Sequence, residues 1–344
     1  MQIDYKKRIK NLQKIIASLE VDFVLLSSAE EFDASTYYFS GDNTNPTYLI
    51  IGKNYSIIAS LHHLDFGNTF EKTIALSDFR KTLYELIENK KAKNIAVDDT
   101  SASCGMAIRL KEKFKGINVI PFSNQLNRMR NVKEPQELLK IKKAQKVTNL
   151  ILDEMQSMYF SRKLVGKTEL EIVGLLEKRT RDFQMSLDSF SPMVLSGSRS
   201  WFFHNNPSNK KIKKDELLLI DIGTKFEFYC ADATRTWYSG NDSKIIRAIE
   251  AVDLSKKEAE KSSKINMTGK QISDIALKII DDLGFGQYSF RKTGLSLGHF
   301  VGLKVHDGTS FENETLKKNM VFTIEPGIYI PDKFGIRIED IKIL

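Results

Sequence analysis

Four carboxylates and one imidazole sit inside apolar runs in the last third of this 344-residue chain. They are Asp221 in LLLIDIG, Asp232 in YCADATRTW, His299 in SLGHFVGLKVHDG, Glu325 in MVFTIEPGIYI and Glu339 in GIRIEDIKIL. The four carboxylates interrupt segments that otherwise read as buried strands. An unpaired carboxylate in such a place costs several kcal/mol or takes up a proton. Four of them in one region therefore call for a shared cationic partner, and metal ions are the natural candidate.

Asp221 and Asp232 are eleven residues apart, and their strands bracket a connection near residues 225–227. If the strands pair as a hairpin, the two Asp lie nearly opposite, with Cβ atoms about 4.5–5.5 Å apart. Glu325 and Glu339 repeat the device on either side of PDKFG, a turn with Pro331 first and Gly335 last. His299 adds the one nitrogen ligand. This set is too acidic for a single zinc, which prefers four ligands rich in N and S. It suits two divalent ions about 3.5–4 Å apart, bridged by carboxylates and a water or hydroxide. Oxygen-rich ligation favours Mn2+ or Co2+, with Zn2+ and Fe2+ as alternatives. Any one Asp taken singly reads equally well as a structural ion pair.

Hydrophobic residues at 41% and charged residues at 28% describe a folded globular chain, long enough for two domains. No apolar run approaches the roughly 18 residues of a membrane span, and the charged start MQIDYKKRIKNLQKII lacks the apolar core of a signal peptide. A cytoplasmic protein with no membrane partner is expected. Cys104 and Cys230 are too few for a disulfide framework and wrongly spaced for a zinc site. The net charge of +8 is spread along helices such as KKRIKNLQKII and ELLKIKKAQK, without a basic, aromatic-interleaved motif, which speaks against nucleic acid as a main partner.

Helical spacing of Ile9, Leu12, Ile15, Ile16 and Leu19 predicts a first helix over residues 5–19, followed by the strand VDFVLLSS. YYFSGDNTNPTYLIIGKNYSIIAS reads as two or three strands, and SDFRKTLYELIENK as a helix capped by Ser77. NIAVDD and INVIPFS are further strands, and SCGMAIRLKEKFKG is a helix ending at Gly116. This alternation indicates a small α/β domain over residues 1–124. The polar stretch 125–134 reads as a linker, and Pro135 opens a long helix and the second domain, 135–344. There, capping boxes pair Thr168 with Glu171 and Thr268 with Gln271, and Gly284 closes the second helix. Helices set against a mostly antiparallel sheet make that domain α+β.

In order, spacing and flanking residues, DIGTKFEFYCADATRT, GHFVGLKVHD, TIEPGIYIP and GIRIED resemble the pita-bread metallopeptidases, in the branch of Xaa-Pro aminopeptidases and Xaa-Pro dipeptidases (prolidases). Weaker matches lie in VLSGSRSWFFHNNP and RNVKEPQELLKIKKAQ, and YYFSGDNTNPTYLII resembles the smaller creatinase-type N-terminal domain of that branch. The resemblance implies a pita-bread catalytic domain behind that α/β domain. It implies that Asp221, Asp232 and Glu339 hold one ion, and Asp232, His299, Glu325 and Glu339 the other.

The same resemblance places His204 and His306 against the substrate and the reaction intermediate, and Tyr329 and Arg337 beside the metal carboxylates. Thr234 is expected to orient Asp232. Glu325 is the candidate to take the proton of the attacking water and pass it to the leaving nitrogen. Substrates are then peptides with proline second, and a homodimer is expected. Three departures stand out. Phe300 replaces a small residue in GHFVGL and is expected to narrow the pocket. HDGTS lacks the arginine that compact microbial prolidases place there, which tilts the reading from dipeptidase toward aminopeptidase. Finally, the sequence ends five residues after Glu339, where relatives usually continue. A relative that binds peptides or proteins without catalysis is the remaining alternative, opposed by the intact ligand set.

Overall fold

The computed structural model describes residues 3–29, 31–61 and 66–344. The chain divides into two compact units, residues 1–129 and 130–344.

In the first unit a mixed six-stranded sheet runs in the order Lys72–Ala75, Tyr55–Ser60, Thr47–Gly52, Phe23–Ser28, Asn94–Val97, Asn118–Pro121. Thr47–Gly52 is antiparallel to both neighbours, and the other three pairings are parallel. Phe23, Leu25, Ile50, Ile95 and Val97 form its core with Leu83, Ile87 and Leu110 from the helices. Three local readings change. YYFS belongs to a helix, Ala34–Ser40, because Asp33 caps it by accepting from the Thr36 amide and Gly41 at φ 69° ends it. These end signals outweigh the aromatic strand propensity. Ser77 lies within a 3-10 turn, Leu76–Asp78, and the helix Phe79–Lys90 starts without a side-chain cap. The polar stretch after residue 122 is also helical, Ser123–Asn131, since Leu126 is fully buried in it.

Every strand pairing in the second unit is antiparallel. Leu218–Ile222 lies between Ala233–Trp237 and Met193–Ser196. Two ribbons complete the framework, Val321–Ile324 with Asp340–Ile343 and Gly327–Ile330 with Phe334–Arg337. Both capping boxes form as expected, opening the helices Glu169–Asp182 and Gly269–Asp282, and Gly284 follows the latter at φ 84°. Pro135 occupies the first turn of the long helix Pro135–Phe160.

Alternation along Leu218–Ile222 separates two cores. Leu218, Ile220 and Ile222 pack with Ile151, Leu152, Ile172 and Leu176 of the helices. Leu219, preceded by Leu217, faces a second core with Phe300, Phe322 and Ile336. Asp221 continues that second row by the period of two, so the strand delivers a carboxylate to the side where the ribbons pack. Replacing the capping residue, Thr268→Ala, is expected to lower stability by about 1 kcal/mol, read as a fall in the urea midpoint at unchanged slope; an unchanged midpoint contradicts the role of the cap.

Candidate metal centre

Pairing of the two strands sets Asp221 opposite Thr234, not opposite Asp232 as the simple hairpin predicts. Asp232 stands two residues further along on the same face, a diagonal neighbour. The inner hairpin, Lys225–Phe226 with Tyr229–Cys230, keeps the same register, and its turn residues Glu227 and Phe228, both at positive φ, sit one residue later than a face-to-face pairing of the two Asp requires. Glycine is required at 223, where a Cβ would collide with the Ala231 carbonyl. The Asp232 amide leaves the ladder and donates to Gln145 Oε1 at 3.2 Å.

Glu325 and Glu339 fall between two ladders of one continuous register. Ile324 pairs with Asp340 and Gly327 with Arg337, so the same register sets Glu325 across from Glu339. His299 is fixed beside them by backbone bonds from Thr323 to the His299 carbonyl (2.8 Å) and from Glu325 to the Leu297 carbonyl (2.8 Å). Thr323 Oγ1 also accepts from the His299 amide (3.0 Å) and donates to Glu325 Oε1 (3.1 Å).

All five residues line one cavity of about 500 Å3, together with His204, His306 and Arg337. His299 Nε2 is 3.4 Å from both Asp232 Oδ2 and Glu325 Oε1. Asp232, His299 and Glu339 each offer one ligand atom within 4.8 Å of the others. Besides Glu325, two carboxylates have one oxygen tied to protein: Asp221 Oδ2 accepts from Arg337 Nη2 at 2.6 Å, and Glu339 Oε2 from Thr234 Oγ1 at 2.6 Å. Asp221 Oδ1, Asp232 Oδ1 and Glu339 Oε1 are buried with no hydrogen-bond partner.

Three orphaned anionic acceptors in one cavity are costly, since each unsatisfied buried group forfeits its hydration. Burial, then the neighbouring carboxylates, pushes the Asp232 and Glu339 carboxyls well above the usual range. Burial raises Glu325 as well, opposed by His299 and Arg337. Oxygen donors with unused lone pairs and one imidazole fit divalent cations.

Behind the carboxylates, Arg337 is buried and donates in four directions. Besides Asp221 it reaches Thr234 Oγ1 (3.1 Å), the Tyr329 hydroxyl (3.2 Å) and the Phe203 carbonyl (3.0 Å). Thr234 therefore serves Glu339 and Arg337, whereas the sequence reading gave it to Asp232; the offset of the two strands accounts for the change. Arg235 holds the Glu339 carbonyl (2.6 Å) and Asp340 (2.7 Å), and Lys256 binds the second Asp340 oxygen (2.7 Å).

The His306 ring lies 4.2 Å from the His299 ring. Desolvation, with His299 and His204 alongside, pushes its imidazole down to about 4. Asp307, next in the chain, accepts from Arg130 Nε (2.7 Å) and the Leu303 amide (3.1 Å), and its own amide bonds the Phe300 carbonyl (2.8 Å). Burial alone raises the Asp307 carboxyl, but Arg130 and Lys133 outweigh it and hold it below its usual range. Phe300 does not narrow the pocket. It is 1% exposed and packs edge-on against Phe311 and Phe322 in the core, because the residue after His299 points to the opposite side of the extended segment.

Thr323, Gln145, Arg130 and Asp307 were not singled out by sequence reasoning. Thr323 carried a usable signal, standing two residues before Glu325 and so on its face of a strand. Arg130 and Gln145 meet the site only through tertiary packing.

Comparison with known proteins agrees with this geometry. Residues 139–343 match metallopeptidase family M24, and residues 8–132 match the creatinase/prolidase N-terminal domain. An Xaa-Pro dipeptidase of Pyrococcus furiosus is 30% identical over 352 aligned positions, covering 98% of this chain and 95% of its own. Among solved structures, an X-Pro aminopeptidase of Thermotoga maritima superposes with a TM-score of 0.82 at 30% identity, over 98% of this chain and 94% of that one. A prolidase of Thermococcus sibiricus gives 0.85 at 26%, over 100% and 95%. An acidic cluster fit for metal and a match across both units lead to one conclusion: the chain belongs to metallopeptidase family M24 and carries a creatinase/prolidase N-terminal domain ahead of its peptidase domain.

Proposed function

We propose that this metallopeptidase hydrolyses the bond between an N-terminal residue and a following proline, as an Xaa-Pro aminopeptidase. The observation that carries the reading is the trio of orphaned, buried carboxylate oxygens beside His299 and Glu325. The names of the relatives that span the whole chain support the choice of bond. Asp221, Asp232 and Glu339 would hold one divalent cation and Asp232, His299, Glu325 and Glu339 a second, with Mn2+ or Co2+ preferred to Zn2+ or Fe2+. Bound there, the cations would lower the pKa of water and polarise the scissile carbonyl.

An Xaa-Pro bond is a tertiary amide without N–H, and its nitrogen must gain a proton to leave. Glu325 is suited to carry that proton, since its carboxyl is raised by burial and Thr323 and His299 hold one oxygen in place. His306, uncharged at neutral pH, donates an N–H where the substrate carbonyl gains charge, and His204 lines the same cavity. By analogy with other oxyanion donors, His306→Ala lowers kcat on the order of 10²-fold.

Peptide length follows from charge. Among the described residues lining the cavity, Arg337 is the one Lys or Arg, and it is occupied by Asp221, Tyr329 and Phe203. The C-terminal carboxylate of a dipeptide thus meets no free cation there, which favours longer peptides. The dipeptidase reading keeps specific support from the P. furiosus and T. sibiricus relatives. Five retained metal-type side chains argue against a relative that only binds. Among the described residues no helix is long and apolar enough to cross a membrane; a cytoplasmic homodimer acting on proline-containing peptides completes the proposal.

A panel of an Xaa-Pro dipeptide, an Xaa-Pro-Xaa tripeptide and an Xaa-Ala control, assayed with Mn2+ and with chelator, decides between these readings. Cleavage of the proline peptides with metal only, and faster for the tripeptide, is expected. Cleavage of the dipeptide alone would install the dipeptidase reading, and activity in chelator would remove both. The pH dependence has a defined sign. Without a cation Asp232 and Glu339 hold protons above the ordinary carboxylate range, so binding must displace them. The melting-temperature gain on adding Mn2+ is therefore larger at about pH 7.5 than at about pH 5.5; a gain independent of pH contradicts the assignment.

A further inference from the structure

We infer that Glu169 is a positioning residue for the loop that presents His204, Asn205 and Asn206 to the cavity, an inference that rests on the peptidase reading above. Glu169 is the first residue of the helix Glu169–Asp182 and is 0% exposed. It touches neither the carboxylate cluster nor, among the contacts described, any cavity-lining side chain. A fully buried carboxylate survives only if its lone pairs are filled, and here each oxygen is filled from one segment of chain.

Oε1 accepts from the Ser196 amide (2.9 Å) and hydroxyl (3.0 Å), and Oε2 from the Ser208 amide (2.9 Å) and hydroxyl (2.8 Å). Arg199 Nε bridges them at 3.3 and 3.0 Å. The donors come from both ends of residues 196–208, so one side chain clasps the base of the loop. Arg199 extends the clasp, because its Nη2 donates to the Asn206 carbonyl at 2.7 Å. From the opposite side, Arg337 holds the Phe203 carbonyl and the Gly335 amide donates to Ser200 Oγ at 2.8 Å. His204, Asn205 and Asn206 are the part of this segment that lines the cavity, strung between the two anchors.

This arrangement separates position from ligation. Glu169 holds the residues that meet the substrate, while the ligand carboxylates are held through Thr234, Arg235 and Arg337. Glutamine has the same shape but replaces one acceptor oxygen with a donor NH2, which opposes donors already pointing at it. The loop then loses one side of its clasp. Glu169→Gln should lower kcat about 10- to 100-fold with a smaller change in KM, since misplacement by an ångström carries such a cost. Bound metal, measured by elemental analysis, should equal that of the wild type.

The deciding experiment is a double-mutant cycle on the metal-loaded full chain. In a His204→Ala background the effect of Glu169→Gln is expected to shrink to within about twofold, because both changes remove one function. Should Glu169→Gln fail to fold by circular dichroism, Arg199→Met enters the same cycle. An undiminished effect in the His204→Ala background, or loss of bound metal, overturns the positioning role while leaving the peptidase reading intact. Full activity of His204→Ala overturns the inference as well, since the loop then presents nothing the reaction uses, whereas a metal-loaded wild type that cleaves no Xaa-Pro peptide would instead remove the peptidase reading.

Discussion

One buried guanidinium, that of Arg337, makes this cluster of acids compatible with a folded chain. It rises from the ribbon strand Phe334–Arg337 and reaches across to Asp221 and Thr234 of the three-stranded sheet, so it joins two sheets as well as two charges. Burial by itself would lower its affinity for a proton, but Tyr329 and the surrounding carboxylates outweigh this and hold it firmly charged. A single positive charge faces Asp221, Asp232, Glu325 and Glu339, and it hydrogen-bonds to only one of them. Burial first, and then the remaining negative charge, pushes Asp232 and Glu339 toward protonation, a strain that divalent cations would relieve.

Asp221 lies within a regular ladder, but the other four candidate ligands sit where regular pairing stops. Glu325 and Glu339 occupy the break between two ladders, Asp232 follows the inner hairpin, and His299 lies on an irregular segment held by Thr323. Side chains at such breaks are freed from the alternation that would send neighbours to opposite faces, and several can converge on one point. The cost is backbone groups without ladder partners. It is offset by named contacts: Gln145 to the Asp232 amide, Thr234 to the Glu339 amide, Thr323 to His299.

Much of this was legible before any coordinates. One carboxylate inside an apolar strand reads equally well as an ion pair, as Asp221 with Arg337 illustrates, but four together point to a shared cation, and the capping boxes at Thr168 and Thr268 mark their helices through strictly local chemistry. Legibility failed where a reading depended on a count or on a direction in space. Asp221 and Asp232 face each other only if the turn falls at residues 226–227; it falls one residue later, at Glu227 and Phe228, so Thr234 stands opposite Asp221 and its hydroxyl bonds Glu339. Phe300 was expected in the pocket, but one step along an extended chain turns a side chain to the other face. YYFS reads as part of a run of strands around Gly and Asn-Pro turns, whereas Asp33 and Gly41 decide it as helix. Glu169 reads locally as a first-turn acid, and its real partners lie 27 to 39 residues away.

Direct measurement of cation binding bears on the whole account. Isothermal titration of Mn2+ into the metal-stripped protein, compared with Asp232→Asn and Glu339→Gln, should give two sites in the wild type and weakened or absent binding in each variant, with peptide hydrolysis lost in step. A stripped protein that takes up no divalent cation yet cleaves Xaa-Pro peptides would contradict it.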